Sequence, residues 1–197
     1  MQAPSAPFLR AHDLACRRGD RILFRSLSLD LAVGDALHIT GANGMGKTTL
    51  IRSLAGLLSP YAGHIEKEGA FGLLDDRPSI DPDLPLGKAI RFWARVDGCN
   101  DILPAAQKLG LDDLLDVPVQ YLSTGQKKRA ALFTLLNNDA PIWLLDEPLS
   151  GLDKPAIVLV TSLIENHRNN GGIAVIASHQ TVAIEGLKTL AIEDYAL

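Results

Sequence analysis

The stretch "ALHITGANGMGKTTLIRSLAGLL", residues 36–58, decides the fold. "ALHIT" (36–40) reads as a strand, and "TTLIRSLAGLL" (48–58) spaces Leu50, Ile51, Leu54, Leu57 and Leu58 along one face of a helix. Between them, "GANGMGKT" matches G-x-x-x-x-G-K-[ST] through Gly41, Gly46, Lys47 and Thr48. Glycines let successive backbone N–H groups curl into an anion-binding nest, and the following helix turns its positive end toward the anion. The candidate nucleotide-binding residues are therefore Gly41, Ala42, Asn43, Gly44, Met45, Gly46, Lys47, Thr48 and Thr49. Lys47 supplies a point charge for the β- and γ-phosphates, and the Thr48 hydroxyl is placed to ligate Mg2+. A strand before and a helix after argue against a chance glycine-rich turn. The motif by itself does not separate ATPases, GTPases and kinases.

Working outward, "RILFRSLSLDLAVGDALHITG" (21–41) reads as strands broken by a Gly34-Asp35 turn, and "SPYAG" (59–63) is expected to close the helix. Residues 75–121 differ in texture: the proline- and acid-rich "DDRPSIDPDLPLG" precedes helical patches "GKAIRFWARV" and "ILPAAQKLGL". "PIWLLDEP" (141–148) is a buried strand ending in carboxylates, "KPAIVLVTSLIENHRNN" (154–170) a helix, and "GGIAVIASHQ" (171–180) a strand delivering a histidine. Strands alternating with helices predict an α/β fold with a largely parallel sheet. Such sheets bind ligands at the carboxyl ends of their strands, where the polar residues of this chain collect.

Composition narrows the partners. The 197 residues suit one domain, 47% are hydrophobic and 21% charged, so a sizeable core is available. A net charge of −4 argues against a duplex nucleic acid held on a broad basic face. Cys16 and Cys99 stand far apart without CxxC spacing, as ordinary reduced thiols do. "MQAPSAPFLR" has no secretory-signal pattern, and the longest apolar run, "AIVLVTSLI" (156–164), is too short to cross a bilayer. The expectation is a cytosolic chain, or one held at a membrane by a partner.

Two further clusters carry chemistry. In "IWLLDEP", Asp146 and Glu147 follow a buried strand; beside a phosphate loop they fit a carboxylate holding Mg2+ through its water shell and a general base. No NKxD-type guanine-reading motif appears, which disfavours a GTPase. "STGQ" has capping-box form, with Ser123 at the N-cap and Gln126 three residues on, so it opens a second helix and a second anion site. One nucleotide does not readily use both. Two copies facing head to tail do.

In order and spacing, "GANGMGKTT", "LSTGQKKR" (122–129), "WLLDEPLSGLD" (143–153) and "ASHQ" (177–180) resemble the ATP-binding subunit of ABC transporters over nearly the whole chain. The resemblance implies one domain over residues 1–197: a P-loop core (1–76 and 120–197) with an N-terminal antiparallel β segment, and an inserted helical subdomain (77–119). It further implies ATP and Mg2+ as ligands and a homodimer. In that dimer Ser123, Thr124, Gly125 and Gln126 close over the ATP of the other copy, Asp153 contacts that copy, and His179 senses the γ-phosphate. The subunit would sit peripherally on the cytoplasmic face of the inner membrane and drive an integral membrane partner. "AIRFWARVDG" (89–98) and "IWLLDEPLSGLDK" are most similar to ATPase subunits of cytochrome c maturation, a haem-export system.

The chain also departs from the family pattern. The glutamine expected before the helical subdomain is missing from "GLLDDRPSI" (72–80), where Asp76 or Arg77 stands; Asp76 is a further candidate for the metal's water shell. The adenine-stacking aromatic is replaced in "CRRGDR" (16–21) by Arg17 or Arg18, and Arg18 is the candidate platform. Phe92 and Trp93 are expected in the core of the subdomain. The alternatives are another ABC exporter, a soluble ABC ATPase acting on nucleic acid or the ribosome, and a small-molecule kinase. The last leaves "LSTGQ" and "SGLD" without a task.

Overall fold

The computed structural model describes residues 5–75 and 80–196; Asp76, Arg77 and the proposed entry to the helical subdomain lie outside them. Five strands form one wholly parallel sheet: β3 (Ala36–Thr40), β5 (Phe71–Leu74), β6 (Ile142–Asp146), β7 (Ile173–Ala177) and β8 (Lys188–Ala191). Their order is β5-β6-β7-β3-β8. Three more, β1 (Phe8–Arg18), β2 (Arg21–Ala32) and β4 (Ala62–Glu68), form an antiparallel sheet in the order β2-β1-β4. The helices are α1 (Lys47–Leu54), α2 (Leu86–Val96), α3 (Leu103–Lys108), α4 (Thr124–Asn137) and α5 (Lys154–Asn169).

The apolar runs of β6 and β7 are buried throughout because the parallel sheet is covered on both faces. Alternate residues serve different cores. Leu37, Ile39, Ile142, Leu144, Ile173 and Val175 pack with α1 and with Leu9, Phe24 and Leu27 of the antiparallel sheet. Trp143, Leu145, Ala174 and Ile176 pack with α2, α4 and α5 through residues such as Ile90, Phe133 and Val160.

Two local expectations are corrected. The helix after the phosphate loop ends at Leu54, four residues early. Gly56 takes a left-handed φ of 79°, its N–H bonds to the Ser53 carbonyl (2.9 Å), and the Leu57 N–H bonds to that of Arg52 (2.9 Å). This is the glycine-terminated helix end in which two carbonyls are recapped, and it leaves Leu57 and Leu58 exposed. In α2, Leu86, Ala89, Ile90 and Ala94 fill the inward stripe. Phe92 falls off that stripe and is 60% exposed, while Trp93 is half-buried and meets it edge to face at 5.3 Å.

Candidate nucleotide site

The phosphate loop leaves β3 and enters α1. Gly41, Gly44 and Gly46 take φ of 144°, 85° and 109°, values that side-chain-bearing residues rarely adopt. Gly41 also has no room: a Cβ there would lie 2.6 Å from Ile192 Cγ2 and 2.9 Å from Glu193 Oε2. Glu193 closes the loop entrance from the far end of the chain, accepting the Ala42 N–H at 2.7 Å. The parallel pairing of β3 with β8, Thr40 opposite Ala191, brings it there. Lys47, 6% exposed, turns its ammonium back onto the Gly41 carbonyl (2.6 Å) and the Ala42 carbonyl (3.3 Å).

Glu147 is the point of convergence. Its carboxylate lies 3.8 Å from the Lys47 ammonium. Ser178 Oγ donates to it at 3.2 Å, as does the His179 N–H, and His179 Nδ1 lies 3.0 Å from both of its oxygens. The backbone of Glu147 is left-handed, with φ of 48°, an arrangement costing about 1–3 kcal/mol that neighbours must hold. The Glu147 N–H donates to the Ala177 carbonyl (2.7 Å), and the Lys128 ammonium donates to the Glu147 carbonyl from α4. Asp146, 2% exposed, ends β6 beside this turn. Asp146 and Thr48 offer a carboxylate and a hydroxyl, the hard oxygen donors that Mg2+ takes.

The start of α4 is built differently. Ser123 Oγ accepts the Gln126 N–H (3.2 Å), and Gln126 Oε1 accepts the Ser123 N–H (2.8 Å), completing the capping box read in the sequence. Asp153 caps α5 by accepting the Ala156 N–H at 2.9 Å. Ser123, Thr124, Gly125, Gln126, Gly151 and Asp153 line one cavity of about 340 Å³, whose lining includes none of residues 41–49. Arg18 is exposed at the end of β1, whereas the Arg17 guanidinium lies over the Tyr61 ring, 5.1 Å from its centroid. Ser178, Lys128 and Glu193 were not legible as site residues. Ser178 and Lys128 stand within the quoted motifs beside His179 and Gln126, and Glu193 stands in none; all three meet the site only through tertiary contacts.

A glycine-rich phosphate loop ahead of a helix, with strand-end carboxylates beside it on a parallel sheet, defines a P-loop nucleotide hydrolase. The family model described as "ABC transporter" matches residues 24–150. A "Cytochrome c biogenesis ATP-binding export protein CcmA" from Novosphingobium aromaticivorans is 56% identical over 187 residues, 95% of this chain and 96% of that one. A protein of the same name from Zymomonas mobilis is 47% identical over 188 residues, 95% of this chain and 85% of that one. Among solved structures, an ABC transporter ATP-binding protein from Pyrococcus furiosus superposes with a TM-score of 0.83 at 22% identity, covering 96% of this chain and all of its own. The chain belongs to the ABC transporter family, as an ATP-hydrolysing subunit. No helix among the described residues is long and apolar enough to cross a membrane.

Proposed function

We propose that two copies of this chain clamp two ATP molecules between them and power an export step of cytochrome c biogenesis, with haem as the cargo. The carrying observation is the split site: Lys47, Glu147 and His179 converge in one chain, while Ser123–Gln126 and Asp153 face a separate cavity. In this reading residues 41–49 wrap the phosphates and the Lys47 ammonium leaves the loop carbonyls to meet the β- and γ-phosphates. Glu147 takes the proton of the water attacking the γ-phosphorus; the bond to ADP breaks and phosphate leaves. His179 reports the γ-phosphate. Ser123 and the Gly125 N–H reach the same phosphate from the other copy, with Thr124 and Gln126 shaping that turn and Asp153 touching its partner. Arg18 supports the adenine.

Thr48, and Asp146 through water, would hold Mg2+, which would supply neutralisation of the phosphate charge. Asp76, outside the described residues, would extend that water shell.

The helical subdomain, residues 77–119, would dock on an integral membrane partner, keeping the subunit at the cytoplasmic face of the inner membrane. Its α2 offers a groove lined by Phe92 and Val96 between Lys88, Arg91 and Arg95. The export role rests on the names of the relatives and the haem on the sequence resemblance.

The test is Glu147→Gln. Turnover is expected to fall at least about 100-fold while ATP is retained and a dimer accumulates. A monomer with ATP bound would overturn the clamp. In cells, the same variant should abolish covalent haem attachment to c-type cytochromes; normal cytochromes would overturn the export role.

A further inference from the structure

Apart from Asp146 at the end of β6, His38 is the ionisable residue of the three inner strands β6, β7 and β3. Leu37 and Ile39 on either side face the core shared with the antiparallel sheet. His38 faces the other way and is 7% exposed. Its Nε2 lies 3.2 Å from the Ser178 carbonyl. A carbonyl only accepts, so Nε2 carries the proton. Burial, the largest influence, pushes the imidazole below its ordinary value, which keeps the ring neutral with its single proton in this bond.

We infer that His38 is a positioning residue for catalysis: by donating to the Ser178 carbonyl it holds the turn 178–180 that in turn orients Glu147. Ser178 is fully buried, so its carbonyl needs a donor. Its N–H is already bonded to the Ile39 carbonyl at 3.2 Å, so both backbone groups of Ser178 are fastened to β3. From that anchorage, Ser178 Oγ, the His179 N–H and His179 Nδ1 reach the Glu147 carboxylate, and Ser178 Oγ accepts the Gln180 N–H at 3.0 Å. The same strand runs directly into the phosphate loop. His38 therefore adds a side-chain tie between the strand that leads to the loop of Lys47 and the turn that carries His179. The inference rests on Glu147 being the general base.

The experiment compares His38→Leu, His38→Gln and Glu147→Gln in ATP turnover. His38→Leu keeps bulk but removes the donor; kcat should drop about tenfold or more with the KM for ATP within about twofold of the parent, because a misplaced base loses rate without losing grip. His38→Gln, whose amide N–H reaches the same carbonyl, should recover most of the lost kcat. A kcat for His38→Leu close to the parent's overturns the inference, and so does a Gln variant as impaired as Leu. Should His38→Leu not fold, His38→Asn carries the test, since it stays polar but its shorter amide stops short of the Ser178 carbonyl: a fall in kcat at unchanged KM supports the inference and an unchanged kcat overturns it. An active Glu147→Gln would instead remove the general-base reading, a separate result.

Discussion

The turn around Glu147 and the start of α4 are both clusters of polar side chains at the end of an element, yet they are completed in opposite ways. Around Glu147, groups from the phosphate loop, the end of β7 and α4 converge on one residue held at a left-handed φ. At Ser123 the bonds are local: a capping box three residues wide, beside an aspartate capping the next helix. The box satisfies the Gln126 N–H, while the neighbouring first-turn N–H groups have no partner within a helix. The first cluster is preorganised by the sheet behind it. The second is finished as a helix start, with first-turn N–H groups left over for an anion. Under the proposed clamp, that pairing makes the second copy part of the chemistry.

Mixing two dead variants tests that difference most strongly. Lys47→Ala and Ser123→Arg should each lose at least about 100-fold in turnover as homodimers, one for want of phosphate grip and the other by blocking the opposing site. Mixed together, they form dimers with one intact site, and activity should rise well above either alone. No recovery in confirmed heterodimers would mean that the start of α4 adds nothing to the opposing site.

Two glycines divide along the same line. Gly41→Ala inserts a methyl against Ile192 and Glu193 at a strained φ, so it should cost about 1–3 kcal/mol of stability and weaken ATP binding. Gly125→Ala meets the Gly151 carbonyl only at 3.4 Å and Leu152 at 3.7 Å, ordinary contact distances. Its denaturation midpoint should match the parent's while turnover falls, since the new methyl projects into the surface that the proposed clamp closes. Equal destabilisation by both would mean that Gly125 is as tightly packed within its own chain as Gly41.

The smallest effect probes the scaffold beneath the first cluster. Burial pushes both His38 and His167 below the ordinary imidazole value; His167 stacks on Trp143 at 4.0 Å and lies 3.3 Å from the Ile173 carbonyl. As pH falls through about 6.5 the unfolded chain takes up these protons first, so stability is greatest above that value and declines with acidification toward the folded values. His167→Phe keeps a flat ring against Trp143 and removes one of the two protons. Its denaturant midpoint should fall less than the parent's between about pH 7 and about pH 5.

Much of this could be read in advance where the signal is local. Lys47 and Thr48 follow a glycine pattern, Asp146 and Glu147 follow an apolar run, and Ser123 and Gln126 stand three apart, so each declares itself within a few residues. The strand β4 could not be read, because "AGHIEKE" is almost entirely exposed and shows no alternation. The early end of α1 was missed because Leu57 and Leu58 fit the helical spacing, while Gly56 stops the helix first by recapping its carbonyls. Phe92 was misplaced because an aromatic in an amphipathic helix resembles core until its angle on the helix is known.

By itself, then, the order of residues determined the chemistry on offer: a phosphate loop, a carboxylate pair, a capped helix start and a strand-end histidine. Tertiary structure alone decided who stands beside whom. The succession β6-β7-β3-β8 sets Glu147 against Ser178 and His179, His38 behind them, and Glu193 at the loop entrance. Parallel pairing joins segments separated by as many as 151 residues, as from Ala42 to Glu193. Such neighbours share no local pattern, and only the packing of the sheet brings them together.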